Sequence, residues 1–262
     1  MMNIRRIYKH SCFHKFLAYV FYSYADFRLR HKGYVYEPAR VKSKFYLPYV
    51  KTDMIQKTIY RYRNYFESFS LNYICKKWLG GAISNAVRDK AILDIGSNIG
   101  NHSLYFLNEC DAKFVYCFEP AQETFEILKT NISINCLEDR VKLFKVGVGR
   151  VSGKGSVFTQ KTKDTGFTQV VSSEDGDIEM VAIDELGLKD KIGLIKIDIE
   201  GYELEALKGM TNIINRDKPY LMIEVEVGNY NKVCSLLDEL GYDHMALNQY
   251  KGTDNHLFYP KG

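Results

Sequence analysis

The stretch ILDIGSNIGNHSLYF, residues 92–106, decides how this chain is read. An apolar run through Ile92 and Leu93 ends at Asp94, a glycine-punctuated turn follows, and Leu104 and Leu107 then recur at helical spacing. A strand that enters a helix through glycines is how a doubly wound sheet receives a nucleotide-like ligand, at the carboxyl ends of its strands. Gly96 lets the backbone approach that ligand, and Gly100 lets the helix pack tightly. Dinucleotide sites use G-x-G-x-x-G to seat a pyrophosphate on the helix N-terminus. The order here is D-x-G-x-N-x-G, with a carboxylate at the strand end and two glycines. A carboxylate repels a pyrophosphate and suits a cofactor bearing an ammonium group and no phosphate, such as S-adenosylmethionine. An ordinary strand–turn–helix is the plain alternative.

A second acid narrows the choice. Residues 113–120, KFVYCFEP, form a β-rich apolar run ending in Glu119, nineteen positions after Gly100. An acid at that distance, at the tip of the second strand, accepts both ribose hydroxyls of an adenosine. Alone, a Glu before Pro120 more often starts a helix; paired with Asp94 it reads as ribose binding.

The chain has 262 residues and is 46% hydrophobic, enough for one large α/β domain with an appendage. Its net charge of +4 hides an asymmetry. Residues 1–70 hold 14 Lys+Arg against 4 Asp+Glu, and 18 of the 35 Tyr+Phe. A basic, aromatic arm therefore precedes a slightly acidic body. Six cysteines (Cys12, Cys75, Cys110, Cys117, Cys136, Cys234) show neither a C-x-x-C pair nor a histidine at metal spacing. They read as reduced, mostly buried thiols of a cytoplasmic protein, not as a disulfide framework or a zinc site. Residues 12–27 follow Arg5, Arg6 and Lys9 as a signal sequence would, but His14, Lys15 and Asp26 interrupt them and no small-residue cleavage site follows. The run is also too short and polar to span a bilayer.

The arm is expected to run over 1–88, with a basic amphipathic helix over 3–31, an irregular or extended stretch over 34–50 and a second helical stretch over 53–79. The catalytic domain is expected over 89–262. Strands are expected near 90–95, 113–118, 141–147, 193–198 and 219–225, with helices near 101–109, 121–135, 202–215 and 229–240. Such alternation means a parallel sheet covered on both faces. Two runs, 154–159 and 178–183, look like an inserted hairpin, and 242–247 with 255–259 like a reversed closing hairpin. Asp217-Lys218-Pro219-Tyr220 superficially matches the D-P-P-Y motif of amino-group DNA methyltransferases, but it precedes the fifth strand instead of following the fourth. It reads as a turn.

Three stretches together resemble the FkbM-type methyltransferases: ILDIGSNIGNHSLYF (92–106), VYCFEP (115–120) and LIKIDIEGYELEALKGM (194–210). VAIDEL (181–186) and PYLMIEVE (219–226) match more loosely, and the resemblance spans roughly residues 60–260. It implies a doubly wound, mostly parallel, seven-stranded α/β sheet of the Rossmann-like class I methyltransferase type, to which the arm read above adds a helical N-terminal extension that the resemblance does not explain. It also implies S-adenosylmethionine-dependent methyl transfer, usually to a hydroxyl oxygen. By motif, Asp94, Gly96, Asn98 and Gly100 would line the cofactor, and Glu119 would hold its ribose.

The acceptor of a doubly wound transferase sits over the carboxyl end of the fourth strand. Period-two alternation in LIKIDIEG puts Lys196, Asp198 and Glu200 on one side until Gly201 breaks the strand. Three charges in an apolar strand are costly unless paired or lining a site. Asp198 and Glu200 are the candidate general bases. The plainer reading is a Lys196–Asp198 pair, with Glu200 and Glu203 starting the next helix. His102 is an alternative base, or a capping or packing residue. Glu224 and Glu226 rank lower, because only one of them is expected to face the cleft. A divalent metal on Asp198 and Glu200 would need more oxygen ligands than these motifs supply, so none is expected.

The expected partner is a small-molecule or surface-glycan acceptor. An RNA 2′-hydroxyl methyltransferase is an alternative supported only by the basic, aromatic arm, and nucleic acid is disfavoured. A membrane-surface adaptor that binds the cofactor without turnover is a third reading. Residues 1–50 combine positive charge with Phe13, Phe16, Leu17, Val20, Phe21 and Phe27, a pattern that suits peripheral association with the anionic inner membrane face. A helical lid on the core is the competing role for that arm.

Overall fold

A computed structural model of the chain describes residues 35–38, 41–159, 168–173, 175–249 and 253–262. The helix expected over 3–31 lies outside the described residues. The described chain opens with two short antiparallel strands, β1 (Val35–Tyr36) and β2 (Phe45–Tyr46). Helices α1 (Met54–Tyr62), α2 (Ser68–Asn72) and α3 (Ala82–Arg88) follow, with a π-helical turn over Tyr73–Lys77 and a 3-10 turn over Trp78–Gly80. Asp53 starts α1 by accepting the Gln56 N–H at 2.7 Å. The helical stretch expected over 53–79 is in fact broken, because Arg63, Glu67 and Leu79 take left-handed backbone that no helix continues through.

Strand and helix then alternate: β3 (Ala91–Ile95), α4 (Asn101–Glu109), β4 (Phe114–Phe118), α5 (Gln122–Ile134) and β5 (Val141–Phe144). Four short strands intervene, β6 (Gly147–Val148), β7 (Gly153–Thr159), β8 (Thr168–Ser172) and β9 (Ile178–Val181). The alternation resumes with β10 (Ile192–Ile197), α6 (Glu203–Lys208), α7 (Thr211–Asp217), β11 (Tyr220–Glu226), α8 (Tyr230–Glu239), β12 (Tyr242–Gln249) and β13 (Thr253–Pro260).

Seven strands form one sheet in the order β12-β13-β11-β10-β3-β4-β5, and every pairing is parallel except the two made by β13. The last strand alone is reversed, not the whole closing hairpin. The inserted hairpin is also richer than expected. β7 does pair antiparallel with β9, but β8 joins β7 and β6 joins β9, giving a second, four-stranded sheet. The single strand expected over 141–147 is divided between the two sheets, and nothing in its apolar run marks the change of partner.

The helix expected over 202–215 divides at Gly209. A Cβ there would stand 2.0 Å from the Gly149 carbonyl oxygen, so another backbone crosses at the break. The Asp184 carboxylate restarts the helix as α7 by accepting the N–H groups of Asn212 (2.9 Å) and Ile213 (3.0 Å).

Period-two alternation splits the core between the two faces of the sheet. Leu93, Ile95, Phe118, Ile195, Ile197 and Ile223 face α6, α7 and α8. Ile92, Val115, Cys117, Leu194, Met222 and Leu257 face α4, α5 and the segment 45–87. Phe45, Leu47, Ile59, Leu71 and Ile74 of that segment are 0% exposed, and burying each such side chain contributes roughly 1.5–3 kcal/mol. Asn131 on α5 and Asn135, which caps the helix C-terminus, hold β2 against it. Asn131 accepts the Tyr46 N–H at 2.5 Å, while Asn135 accepts the Lys44 N–H and donates to the Lys44 carbonyl, both at 2.8 Å. Among the described residues no helix is long and apolar enough to cross a membrane.

Candidate cofactor and acceptor site

The face of the sheet that carries Ile92 and Leu194 turns polar toward the carboxyl ends of the strands. The register aligns Cys117, Asp94, Lys196, Met222 and Leu257 in one row across it. Two residues further on lie Glu119, Gly96, Asp198, Glu224 and Asn255, the last two paired directly. The candidate residues from both motifs therefore meet along one edge.

The glycine loop is held from below. Asp94 is 0% exposed, and its Oδ2 accepts the Ser103 hydroxyl. Its Oδ1 has the Lys196 ammonium at 3.4 Å and no hydrogen bond. Ser97 Oγ donates to the Asp94 carbonyl at 2.6 Å and receives the Phe118 N–H at 3.0 Å, tying the loop to β4. Gly96 (φ 73) must be glycine for a reason internal to the protein: a Cβ would lie 1.9 Å from the Asp198 carbonyl oxygen. At Gly100 (φ 87) a Cβ would lie 2.8 Å from Leu128 Cδ1, so that glycine sets how closely the loop packs on α5. Asn98 sits at φ 49, which asparagine tolerates, and its Oδ1 accepts the Ile99 N–H at 2.7 Å.

Glu119 is 7% exposed, with Oε2 accepting the Asn98 N–H at 3.0 Å and Oε1 the Ala121 N–H at 2.9 Å. Burial pushes its carboxyl up to about 7, although the Ala121 and Asn98 N–H groups pull the other way. A carboxylate has about four acceptor positions, so one on each oxygen is left for a vicinal diol. The residues present thus fit an adenosine: a diol acceptor at Glu119 beside a glycine loop that Asp94 and Ser97 brace from below. Among the described residues no group of three His, Cys, Asp or Glu side chains is placed to hold a metal ion.

The acceptor side differs from the expectation. β10 ends at Ile197, so period-two alternation does not reach Glu200, which lies in a turn at φ 49. Asp198 is 34% exposed, with its Oδ2 3.4 Å from the Lys196 ammonium. The Lys196–Asp198 pair is therefore real, and Asp94 completes it as a trio. Gly201 braces the turn: its N–H donates to Glu203 Oε1 at 2.5 Å, and its carbonyl receives Asn229 Nδ2 at 2.8 Å. Burial, then Asp198, Glu224, Glu203 and Glu226, push the Glu200 carboxyl up to about 8. Glu224 and Glu226 both contribute, because residues two apart on a strand share a face; the expectation that only one could do so was wrong.

His102 is 6% exposed on α4, its Nε2 3.4 Å from Glu67 Oε2 without a hydrogen bond. Glu67 also receives Asn255 Nδ2 at 3.1 Å, while Asn101 exchanges hydrogen bonds with the Phe66 backbone at 2.9 and 3.2 Å. Segment 66–67 thereby crosses α4 and β13 beside the polar edge. Glu67 and Asn255 are neighbours of the site that sequence reasoning missed. No local signal marks either, since Glu67 meets His102 from 35 positions away and Asn255 from 188.

A seven-stranded sheet with only its last strand reversed defines the Rossmann-like class I methyltransferase fold. Residues 94–244, more than half of the chain, match the methyltransferase FkbM domain, and the chain belongs to that family. It is similar to the hexuronic acid methyltransferase AglP of Haloferax volcanii, 32% identical over 166 residues that cover 60% of this chain and 65% of the relative. It is also similar to the methyltransferase sdnD of Sordaria araneosa, 25% identical over 203 residues, 62% of this chain and 76% of the relative. The crystal structure of an FkbM methyltransferase from Methylobacillus flagellatus shares the fold, with a TM-score of 0.53 and 18% identity over 78% of this chain and 52% of that one. The chain thus spans just under two thirds of AglP and about half of the solved structure.

Proposed function

We propose that the protein transfers the methyl group of S-adenosylmethionine to a hydroxyl oxygen of a small molecule or glycan precursor. The observation that carries this reading is the contact between the two motif loops: the cofactor loop at Gly96 touches the acceptor turn at Asp198, with Glu119 and Glu224 flanking them in the register of the sheet. When bound, S-adenosylmethionine supplies an electrophilic methyl group on sulfur. The acceptor's hydroxyl oxygen would take that methyl group, its new C–O bond replacing the C–S bond, and Asp198 or Glu200 would receive the hydroxyl proton. The protein aligns the acceptor and excludes water. In this reading Glu119 holds the ribose, Asn98, Gly96 and Gly100 shape the loop, and the fully buried Asp94 acts by supporting that loop. Asp198 and Glu200 are the proton acceptors. A carboxyl raised to about 8 is a stronger base, once ionised, than an ordinary one.

AglP is named for a hexuronic acid, an anionic sugar. Asp198, Glu224 and Glu226 surround Glu200, whose own carboxyl they help to raise, and would repel a uronate. A neutral sugar hydroxyl fits that surround better. Labelled methyl transfer to neutral and uronic glycan fractions tests this, and preferential labelling of the uronic fraction would reverse it. Asp198→Asn and Glu200→Gln keep S-adenosylmethionine affinity and lower turnover by about a hundredfold, the scale of a lost general base. Wild-type turnover in both variants would remove the two carboxylates from the chemistry.

A further inference from the structure

Lys196 is the one buried lysine among the described residues, 3% exposed in the middle of a parallel sheet. A lysine is almost never fully buried unless it is paired. An ammonium has three hydrogens to donate, and three acceptors surround this one: the Gly96 carbonyl at 2.7 Å, Asp94 Oδ1 at 3.4 Å and Asp198 Oδ2 at 3.4 Å. Two of the three belong to the cofactor loop and its strand, and the third to the acceptor turn.

We propose that Lys196 is the positioning residue of this site, clamping the loop that carries the cofactor to the turn that carries the acceptor's base. The proposal rests on the assignment of those two segments made above. The titratable groups around the ammonium are Asp94 from β3, Cys117 from β4, Glu119 just beyond β4, and Asp198 just beyond β10. Burial alone would lower the ammonium's pKa, but Asp198 and Asp94 outweigh it and hold it above the ordinary lysine value. The clamp is therefore a fixed positive charge at neutral pH. Packing does not require one there, since replacing buried ion pairs by apolar groups of similar volume is often neutral or stabilising. A methionine would fill the space, but it could not hold the Gly96 carbonyl and neutralise two carboxylates together.

The test is a calorimetric titration of the full chain with S-adenosylhomocysteine, for wild type, Lys196→Met, Lys196→Arg, Asp198→Asn and the Lys196→Met/Asp198→Asn double variant, with a thermal melt for each. The clamp predicts that Lys196→Met binds about tenfold to a hundredfold more weakly, the range for a lost hydrogen bond to a charged group. Lys196→Arg, which keeps the charge, loses less. The double variant binds more tightly than Lys196→Met, because one of the two stranded carboxylates is gone. Wild-type binding by Lys196→Met overturns the proposal. So does a methionine variant that outperforms arginine while the double variant binds no more tightly than Lys196→Met, the pattern of a packing role. If Lys196→Met does not fold, the double variant must melt at a higher temperature, and an equally unfolded double variant overturns the clamp. A wild type that does not bind S-adenosylhomocysteine contradicts the functional reading itself, a different result from binding without coupling.

Discussion

Three residues beside the polar edge share a rare backbone state. Glu67, Asn98 and Glu200 all have φ between 49 and 56, a region that costs a non-glycine residue about 1–2 kcal/mol. Each is tied in place: Glu67 to Asn255, Asn98 through its backbone to Glu119, and Glu200 in the turn that Asn229 braces. The same state also occurs away from the edge, at Arg63, Leu79, Asp111, Cys136 and Lys218, so what sets these three apart is that each is tied in place beside the site. Glu119 offers a direct readout, because burial raises its carboxyl to about 7. The folded protein therefore holds a proton there at pH values where an ordinary glutamate is ionised. A ribose diol donates to the ionised form, so S-adenosylhomocysteine affinity rises between pH 6 and 8 as that proton leaves. Glu119→Gln flattens the rise. An affinity that falls or stays level over that range in the wild type would separate Glu119 from ribose binding.

At the scale of elements, α4 is found over the residues its periodicity indicates, and β3, β4, β10 and β11 fall within a residue or two of theirs. These elements were legible because each carries its own signal: an apolar run or a 3.6 period, bounded by glycine, proline or a charge. Asp94, Glu119 and Asp198 were legible for the same reason, as charged residues ending apolar strands. The break at Gly209, the division of 141–147 between two sheets and the pieces of the 53–79 helix were not. Each depends on a distant backbone, such as Gly149 against Gly209, or on a left-handed residue the sequence does not announce. Asn131 shows how much can ride on one such contact. It is 0% exposed, accepts the Tyr46 N–H and donates to the Ile99 carbonyl at 2.8 Å, joining β2, α5 and the glycine loop. Asn131→Ala strands both backbone groups and lowers unfolding stability by about 1–3 kcal/mol, measured by urea denaturation. A change within about 0.5 kcal/mol, the usual span for an uneventful surface substitution, would mean that the joint is not structural.

At the scale of the molecule, only the later part of the basic arm lies among the described residues. Phe45, Leu47 and Val50 are at most 5% exposed within the same cluster as the sheet, which supports a packing role for residues 41–50. Residues 1–34, outside the described part, hold seven Lys+Arg against one Asp. A chain lacking 1–50 melts at a lower temperature than the full chain, while one lacking 1–34 keeps its melting temperature and its cofactor affinity. If residues 1–34 address an anionic membrane, only the full chain sediments with phosphatidylserine vesicles at low salt. A full chain that ignores such vesicles leaves residues 1–34 without a membrane role.

The central claim is that the glycine loop and Glu119 hold S-adenosylmethionine and not a dinucleotide. The most direct measurement is calorimetry of the full chain with S-adenosylmethionine and with NAD, repeated on Glu119→Ala. The account predicts saturable binding of S-adenosylmethionine, none of NAD, and a loss of about 1.5–3 kcal/mol in the variant, the worth of hydrogen bonds to a charged group. Binding of NAD in preference to S-adenosylmethionine, or an unchanged affinity in Glu119→Ala, would contradict it.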